Sequence, residues 1–482
     1  MLRFLLVLLM FFRSPPSLGF RFVVSPCASL ISPPVRSLLP SSNPKFRSDS
    51  LLRLYSSSAD TPPPAPVSSD NINNDDDESR RTQNKNANKN SKQNRRDNIG
   101  KAKAVDRGQY QNRYVHRPNN PLSGLPDTSK PFTVLGIETS CDDTGVAVVE
   151  STGKILGESI ASQAGIHENF GGIVPGLAKE AHAANIQATI ADALDKAGMD
   201  VRDVDAIAVT VGPGLEICLR VGCEAAKTLA IAHSKPFVGV HHLEAHILMS
   251  RLNSSLEFPF LSLLVSGGHC QLLRCDGIGS YEVIGGTLDD SLGEAYDKVA
   301  RMLNLPVGGG GGPAVEALAK NGDPSVVKLP IPMQHRKDCD FSFAGLKNAF
   351  RMAVNKMKEI RGLEEGGDLA EQDKADLAAS FQNVAIKHLE QRLKLAISNT
   401  KRDTPAIDKL VVVGGVAANK AIRESLSNIC EANEWDFFVP EARLCTDNGV
   451  MAAWAGIEKI NCNISDVPTT QEVFARYPFS NN

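Results

Sequence analysis

The sequence predicts an α/β protein built from two related lobes with a cleft between them, and three observations predict it. Apolar strand-like runs alternate with helical patterns from residue 132 onward, the signature of packed β and α layers. A strand, a turn of small polar residues and a returning strand occur at Phe132–Val149 and again at Phe260–Arg274, about 130 residues later. A third apolar strand, Lys409–Val413, ends in paired glycines where a helix begins.

At 482 residues the chain is long enough for two domains or one bilobal one. Its net charge of −3 singles out no class of partner, since a near-neutral chain can still carry a local basic patch. Ten cysteines include no CxxC pair, which excludes a zinc ribbon and a small disulfide scaffold and points to buried thiols in a reducing compartment. Residues 1–48 carry Arg3, Arg13, Arg21, Arg36, Lys45 and Arg47, frequent serine and no acidic residue, the composition of an organellar transit peptide. The mitochondrion is the expected destination and the plastid the alternative. The apolar run Phe4–Phe12 is too short to span a bilayer. Residues 49–130 are rich in Ser, Pro, Asn and Asp and read as a disordered linker. The folded core then divides into an N-terminal lobe, 131–258, and a C-terminal lobe, 259–478, with the last helix packing back on the N-terminal lobe.

Within the core, Phe132–Glu138 reads as a buried strand, followed by Thr139-Ser140-Cys141-Asp142-Asp143-Thr144-Gly145 and the strand Val146–Val149. Such a turn offers backbone N–H groups and hydroxyls to a phosphate and carboxylates to a metal-bound phosphate. Ala178–Ala197 is predicted helical, with His182 on its early turns. The strand Asp205–Thr210, the helix Leu219–His233, the strand Phe237–Val240 and a helix over His242–Leu252 follow. Phe260–Val265 runs into Ser266-Gly267-Gly268-His269 and returns over Gln271–Arg274. A helix continues through Met302, and the five glycines Gly308–Gly312 leave amides open to a ligand before the helix Ala314–Lys320. A basic helix carries Lys347, Arg351, Lys356, Lys358 and Arg361, and a long helix spans Ala375–Ser398. After Gly414-Gly415 a helix is expected from about Ala417, bare backbone that suits adenine, ribose or phosphate, with Asn419 offering hydrogen bonds to ribose or base. This is neither a Walker A loop nor a GxGxxG fingerprint. The helix Val450–Ile460 ends the core.

The chemistry centres on His241-His242-Leu243-Glu244-Ala245-His246. His242 and His246 are four residues apart and share one helical face. With Asp447, in the turn Cys445-Thr446-Asp447-Asn448-Gly449, they make a two-histidine, one-carboxylate set that leaves open positions, suited to non-haem iron and also to zinc. A zincin peptidase needs HExxH. Here Leu243 follows the first histidine, and Glu244 lies roughly 200° around the helix from it.

The stretches GIETSCDDTG, HHLEAH, LVSGGH, EAYDK, GGGGGP, DFSFAGLK, VVVGGVAAN and CTDNG occur in this order and resemble the TsaD-type tRNA N6-adenosine threonylcarbamoyltransferases, once described as O-sialoglycoprotein endopeptidases. The resemblance covers Phe132 to about Pro478, and the N-terminal segment makes the chain look like the organellar branch. It implies a two-lobed fold of the actin, hexokinase and Hsp70 superfamily. It implies transfer of L-threonylcarbamoyl from threonylcarbamoyl-AMP to N6 of adenosine 37 in tRNAs that read ANN codons. It implies one divalent ion, Fe2+ or Zn2+, on His242, His246 and Asp447. A substrate turn falls on Leu264, Val265, Ser266, Gly267 and Gly268, and further adenylate contacts fall on Asp297, Gly312 and Asn419. Asp142 and Asp143 match the turn the family needs for activity, where many relatives carry Glu at the second position. The expected partners are tRNA, a separate YrdC/Sua5-type enzyme that makes the adenylate, and a second copy of the chain. A metallopeptidase and a superfamily ATPase or kinase are the rival readings.

Overall fold

The computed structural model describes residues 124–479 apart from 171, 306, 308, 309 and 365. The transit-peptide reading of 1–48, and the linker reading as far as residue 123, fall outside the described residues.

The first lobe opens with an antiparallel meander of β1 (Thr133–Glu138), β2 (Asp143–Glu150) and β3 (Ile155–Ser162). Val134, Leu135, Ile137 and Val146–Val149 are all fully buried. The sheet is covered on both faces, which is why β1 reads as a continuous apolar run and not as an alternating one. Next come α1 (Pro175–Ala197), β4 (Ala206–Gly212), α2 (Glu216–Ala232) and β5 (Phe237–His241). They add two parallel strands, giving the order β3-β2-β1-β4-β5. The helix α3 (His242–Leu248) follows β5 directly.

The second lobe repeats this plan. β6 (Phe260–Val265), β7 (Cys270–Gly277) and β8 (Ser280–Gly286) form the meander. After α4 (Leu292–Met302), α5 (Gly312–Ala319), α6 (Ala344–Ile360) and α7 (Glu371–Asp403), the strand β9 (Lys409–Val413) pairs in parallel with β6. Beyond α8 (Lys420–Glu431), β10 (Asp436–Phe438) pairs in parallel with β9. The order β8-β7-β6-β9-β10 matches the first sheet strand for strand and direction for direction. This is the duplicated, actin-like α/β architecture.

The last helix, α9 (Gly449–Asn461), lies against the first sheet. Contact is backbone to backbone: a Cβ on Gly136 would meet Ala453 N at 2.2 Å, and one on Gly449 would meet the Val146 carbonyl carbon at 2.3 Å. All seven residues of α3 are buried. Ala245 and Leu248 join the cluster under the first sheet and α9, whereas Leu243 and Ile247 pack with Phe260, Leu264, Val411 and Val413 of the second sheet. The helix that carries the histidine pair is thus wedged between the lobes.

The elements differ from the sequence reading in places. β2 starts at Asp143 itself, α3 gives way to a 3-10 turn at Met249, α5 starts at Gly312, and α8 starts at Lys420 after a 3-10 turn over Gly415–Ala418. The strands β3, β8 and β10 were not anticipated. Among the described residues, no helix is long and apolar enough to cross a membrane.

Candidate active site

The start of α3 is fixed by His241. Its Nδ1 accepts from the backbone N–H groups of Leu243 and Glu244 at 3.2 and 3.4 Å, and its Nε2–H donates to the Tyr477 carbonyl at 2.6 Å. Burial pushes its pKa down to about 3, which keeps the neutral ring those bonds need. His241 is therefore a helix cap. His242 and His246 follow, one turn apart on the buried helix.

Asp447 arrives on the turn before α9. Asn448 fixes that turn, its Oδ1 accepting from Met451 N at 2.9 Å and its Nδ2 donating to the Thr446 carbonyl at 2.7 Å. Asp447 Oδ1 lies 3.1 Å from His246 Nε2 and 3.6 Å from His242 Nε2. Ligand atoms of the three residues lie within 4.8 Å of one another. Two ligands bound at ~2.1 Å to one ion at tetrahedral or octahedral angles stand about 3.0–3.4 Å apart. The Asp447–His246 pair has that spacing and the other separations are wider, while the chemistry of the donors, two imidazoles and a carboxylate, suits one divalent ion. Asp447 is the most exposed of the three side chains, at 25%, so the set opens on its carboxylate side.

The charges agree with this. Burial disfavours a charged His242, yet the carboxylates of Asp447 and Glu138 outweigh it and hold the pKa up at about 9. Burial likewise works against the Asp447 carboxylate, and His242 and His246 nevertheless hold it well below the usual carboxylate range. Burial, then the charges of His242 and His246, push His269 down to about 4, so a neutral imidazole from the second lobe stands near the set.

The turn after β1 faces the same place. Burial raises the pKa of Asp142, helped by the neighbouring charges of Asp143 and Asp447. Burial also raises Asp143, against a hydrogen bond from Ser162. His182 on α1 clamps the turn. Burial lowers its pKa, and the neutral ring donates from Nε2 to the Cys141 carbonyl at 3.1 Å and accepts at Nδ1 from Thr144 Oγ1 at 2.7 Å. Burial and the Asp142 charge hold the Cys141 thiol far above its usual value, so it is no thiolate nucleophile.

In the second lobe, the turn Ser266–Gly268 closes on itself, with Ser266 N donating to the His269 carbonyl at 2.8 Å and Ser266 Oγ accepting from His269 N at 3.1 Å. Nothing stands within 4 Å of where a Cβ on Gly267 or Gly268 would be, so bare backbone is on offer. Leu264 and Val265 are strand residues with side chains in the core and backbone in the ladders to β7 and β9; the open backbone of this segment lies at Gly267 and Gly268. Ser291, which caps α4, donates to the Gly267 carbonyl. Asp297, on the same helix, accepts from Gly311 N at 2.6 Å, and burial raises its pKa. Gly312 begins α5 with open space on its Cβ side. Glu316 of α5 accepts from Lys420 N at 3.0 Å. Beside it, Asn419 is already engaged: Oδ1 caps α8 through Ile422 N at 3.0 Å, and Nδ2 donates to Gln382 Oε1 at 3.0 Å. One Nδ2 hydrogen remains for a ligand. Gly414, at φ 92°, lets β9 end against β6, where a Cβ would meet the Val265 carbonyl oxygen at 2.4 Å. Turn, α4, Gly311, α5, Asn419 and Gly414 thus form a ring of neighbours. Gly415 joins that ring to the metal set, since its Cβ would stand 3.8 Å from Thr446 Cγ2.

Glu244 is committed elsewhere. Its Oε1 accepts from Tyr281 Oη and Gly279 N, each at 2.9 Å, and its Oε2 lies 3.4 Å from Lys459 Nζ. It cannot serve the histidine pair as a zincin's glutamate does. Three residues near the site had no role in the sequence reading: Glu138, His182 and His269. The available signal for Glu138 was a lone acid closing an otherwise apolar strand.

The model of the TsaD family, tRNA N6-adenosine threonylcarbamoyltransferase, matches residues 154–454. A probable mitochondrial tRNA N6-adenosine threonylcarbamoyltransferase of Arabidopsis thaliana is 47% identical over 352 residues, covering 72% of this chain and 73% of the relative. The tRNA N6-adenosine threonylcarbamoyltransferase of Paramagnetospirillum magneticum is 45% identical over 333 residues, covering 69% and 93%. That of Rhodospirillum rubrum is 44% identical over 343 residues, covering 70% and 92%. The chain belongs to the TsaD family of tRNA N6-adenosine threonylcarbamoyltransferases.

Proposed function

We propose that the cleft just described runs the family's acyl transfer with the residues named there. The enzyme moves the L-threonylcarbamoyl group from threonylcarbamoyl-AMP to N6 of adenosine 37 in tRNAs that read ANN codons. The N6 nitrogen attacks the carbamoyl carbon, the bond from that carbon to the phosphate oxygen breaks, AMP leaves, and the amine loses a proton. In this reading His242, His246 and Asp447 hold one divalent ion per subunit, Fe2+ or Zn2+. When bound, the ion supplies Lewis-acid charge beside the donor. The backbone of Leu264–Gly268 positions the donor and offers N–H groups to the carbonyl oxygen as it gains charge. Asp297, Gly312 and Asn419 hold the adenylate. Asp142 and Asp143, whose pKa values are raised, receive the amine and take its proton.

The gathering of His242, His246 and Asp447 within 4.8 Å supports this reading most. Chelation followed by re-metallation tests it. Transfer activity should vanish with the metal and return with Fe2+ or Zn2+, and metal analysis of the protein as purified distinguishes the two. Full activity after complete metal removal would contradict the assignment.

The same proposal places the enzyme in the mitochondrion, fed with adenylate by a separate YrdC/Sua5-type enzyme and acting as a homodimer. The Arabidopsis relative's mitochondrial label supports the first point. Residues 1–48 fused to a fluorescent protein should direct it to mitochondria; accumulation in plastids would correct the compartment. Light scattering of the purified chain should give twice the mass of one subunit.

A further inference from the structure

Glu138 is the last residue of β1 and is fully buried. A buried carboxylate must be heavily compensated, and its partners are specific. Oε1 accepts from Ser140 N, and Oε2 accepts from Thr210 Oγ1. His242 Nδ1 lies 3.3 Å from Glu138 Oε2 and 3.2 Å from Ser140 Oγ. The sheet creates this meeting. Ile137 pairs with Val209 in the parallel β1–β4 ladder, so Glu138 and Thr210 sit side by side at the strand ends. Thr210 in turn pairs with Val240, two residues before His242.

A carboxylate at Nδ1 determines what the opposite nitrogen does. Nδ1–H donates to Glu138, so the nitrogen that gives up its proton to an ion is Nε2, on the side where Asp447 stands 3.6 Å away. An imidazole held in this way cannot turn, and the carboxylate makes it a stronger ligand. We infer that Glu138, oriented by Thr210 and the Ser140 amide, is a positioning residue that locks His242 in its metal-ligating tautomer and so sets the metal affinity of the site. The inference rests on the metal reading of His242, His246 and Asp447, and it adds a residue that touches neither ion nor substrate.

The test measures metal binding and not turnover. Cobalt(II) is titrated into the metal-free full-length protein, with dissociation constants from chelator competition and the visible absorption of the bound ion recorded. Glu138→Gln keeps the shape but weakens the acceptor at Nδ1. It should bind cobalt 10–100-fold more weakly, the usual effect of losing such a partner, with an altered absorption band and an unchanged far-ultraviolet circular dichroism spectrum. Thr210→Val, which removes only the hydroxyl that aims the carboxylate, should show a smaller loss in the same direction. A folded Glu138→Gln protein with wild-type affinity and spectrum overturns the inference. If Glu138→Gln does not fold, Thr210→Val decides, and wild-type affinity there overturns it equally. Wild-type protein that binds no cobalt, or binds it equally well after His246→Ala, would instead sink the metal reading itself.

Discussion

In the metal-free protein His242 carries a proton, because its burial is outweighed by Asp447 and Glu138 and its pKa stands at about 9. In the unfolded chain the same ring titrates near ~6.5. A folded pKa above the unfolded one contributes stability that is complete below ~6.5 and is lost as pH climbs through about 9. The metal-free protein should therefore melt at a lower temperature at pH 9 than at pH 7. Metal binding displaces this proton, so affinity should rise across the same interval. Calorimetric titrations at pH 7 and pH 8.5 check this; equal affinities would show that the proton is absent. His182 acts at a different point. It ties the Cys141 carbonyl to Thr144 across the acidic turn but belongs to no ligand set. His182→Ala should destabilise the fold by about 1–3 kcal/mol and slow transfer, while cobalt affinity stays within about twofold of wild type. A large loss of cobalt affinity would mean that the clamp reaches the metal set.

Among the elements, α9 does two jobs, since it covers one face of the first sheet and delivers Asp447 from its N-terminal turn. Its seat depends on glycine at the crossing, where a Cβ on Gly449 would stand 2.3 Å from the Val146 carbonyl carbon. Gly449→Ala should push the helix outward, lower stability by about 1–3 kcal/mol and weaken metal binding with it. Thermal melts and cobalt titration on one preparation check both effects, and a loss of stability without a loss of affinity would uncouple helix from site. What could be read from the sequence follows burial. β1, β6 and β9 are central strands, buried along nearly their whole length, and their apolar runs stood out. β3 and β8 are sheet edges with exposed or half-exposed residues, and β10 has three residues, so their apolar signals were short beside the central runs. The histidine pair was legible because i,i+4 spacing is local. Glu138 was not, because its meaning depends on His242, 104 residues away. His241 and Asn419 show the reverse case, polar residues beside the site whose visible work is capping a helix.

At the scale of the molecule, the site lies where two copies of one topology meet, and each supplies part of it. Glu138, Asp142, His242 and His246 come from the first sheet and the helix after it. The Ser266–Gly268 turn, Asp297 and Gly312 come from the second lobe, and Asp447 returns from the end of the core to close the set. Neither lobe is self-sufficient. A chain stopped at residue 440 loses α9 and with it the cover of Val134, Ala147, Val149 and Ala208. It should aggregate or yield to protease and bind no metal, whereas the full chain with Asp447→Ala should stay folded and lose only the metal. Recovery of a soluble, protease-resistant 1–440 chain would show that the first lobe does not need this helix. The central claim, that the cleft around His242, His246 and Asp447 performs threonylcarbamoyl transfer, is tested most directly by reconstitution. Purified full-length protein, threonylcarbamoyl-AMP and an ANN-decoding tRNA transcript are combined, and the digested nucleosides are analysed by mass spectrometry. The account predicts N6-threonylcarbamoyladenosine with the wild-type chain and none with His246→Ala. Equal product from the two proteins would contradict it.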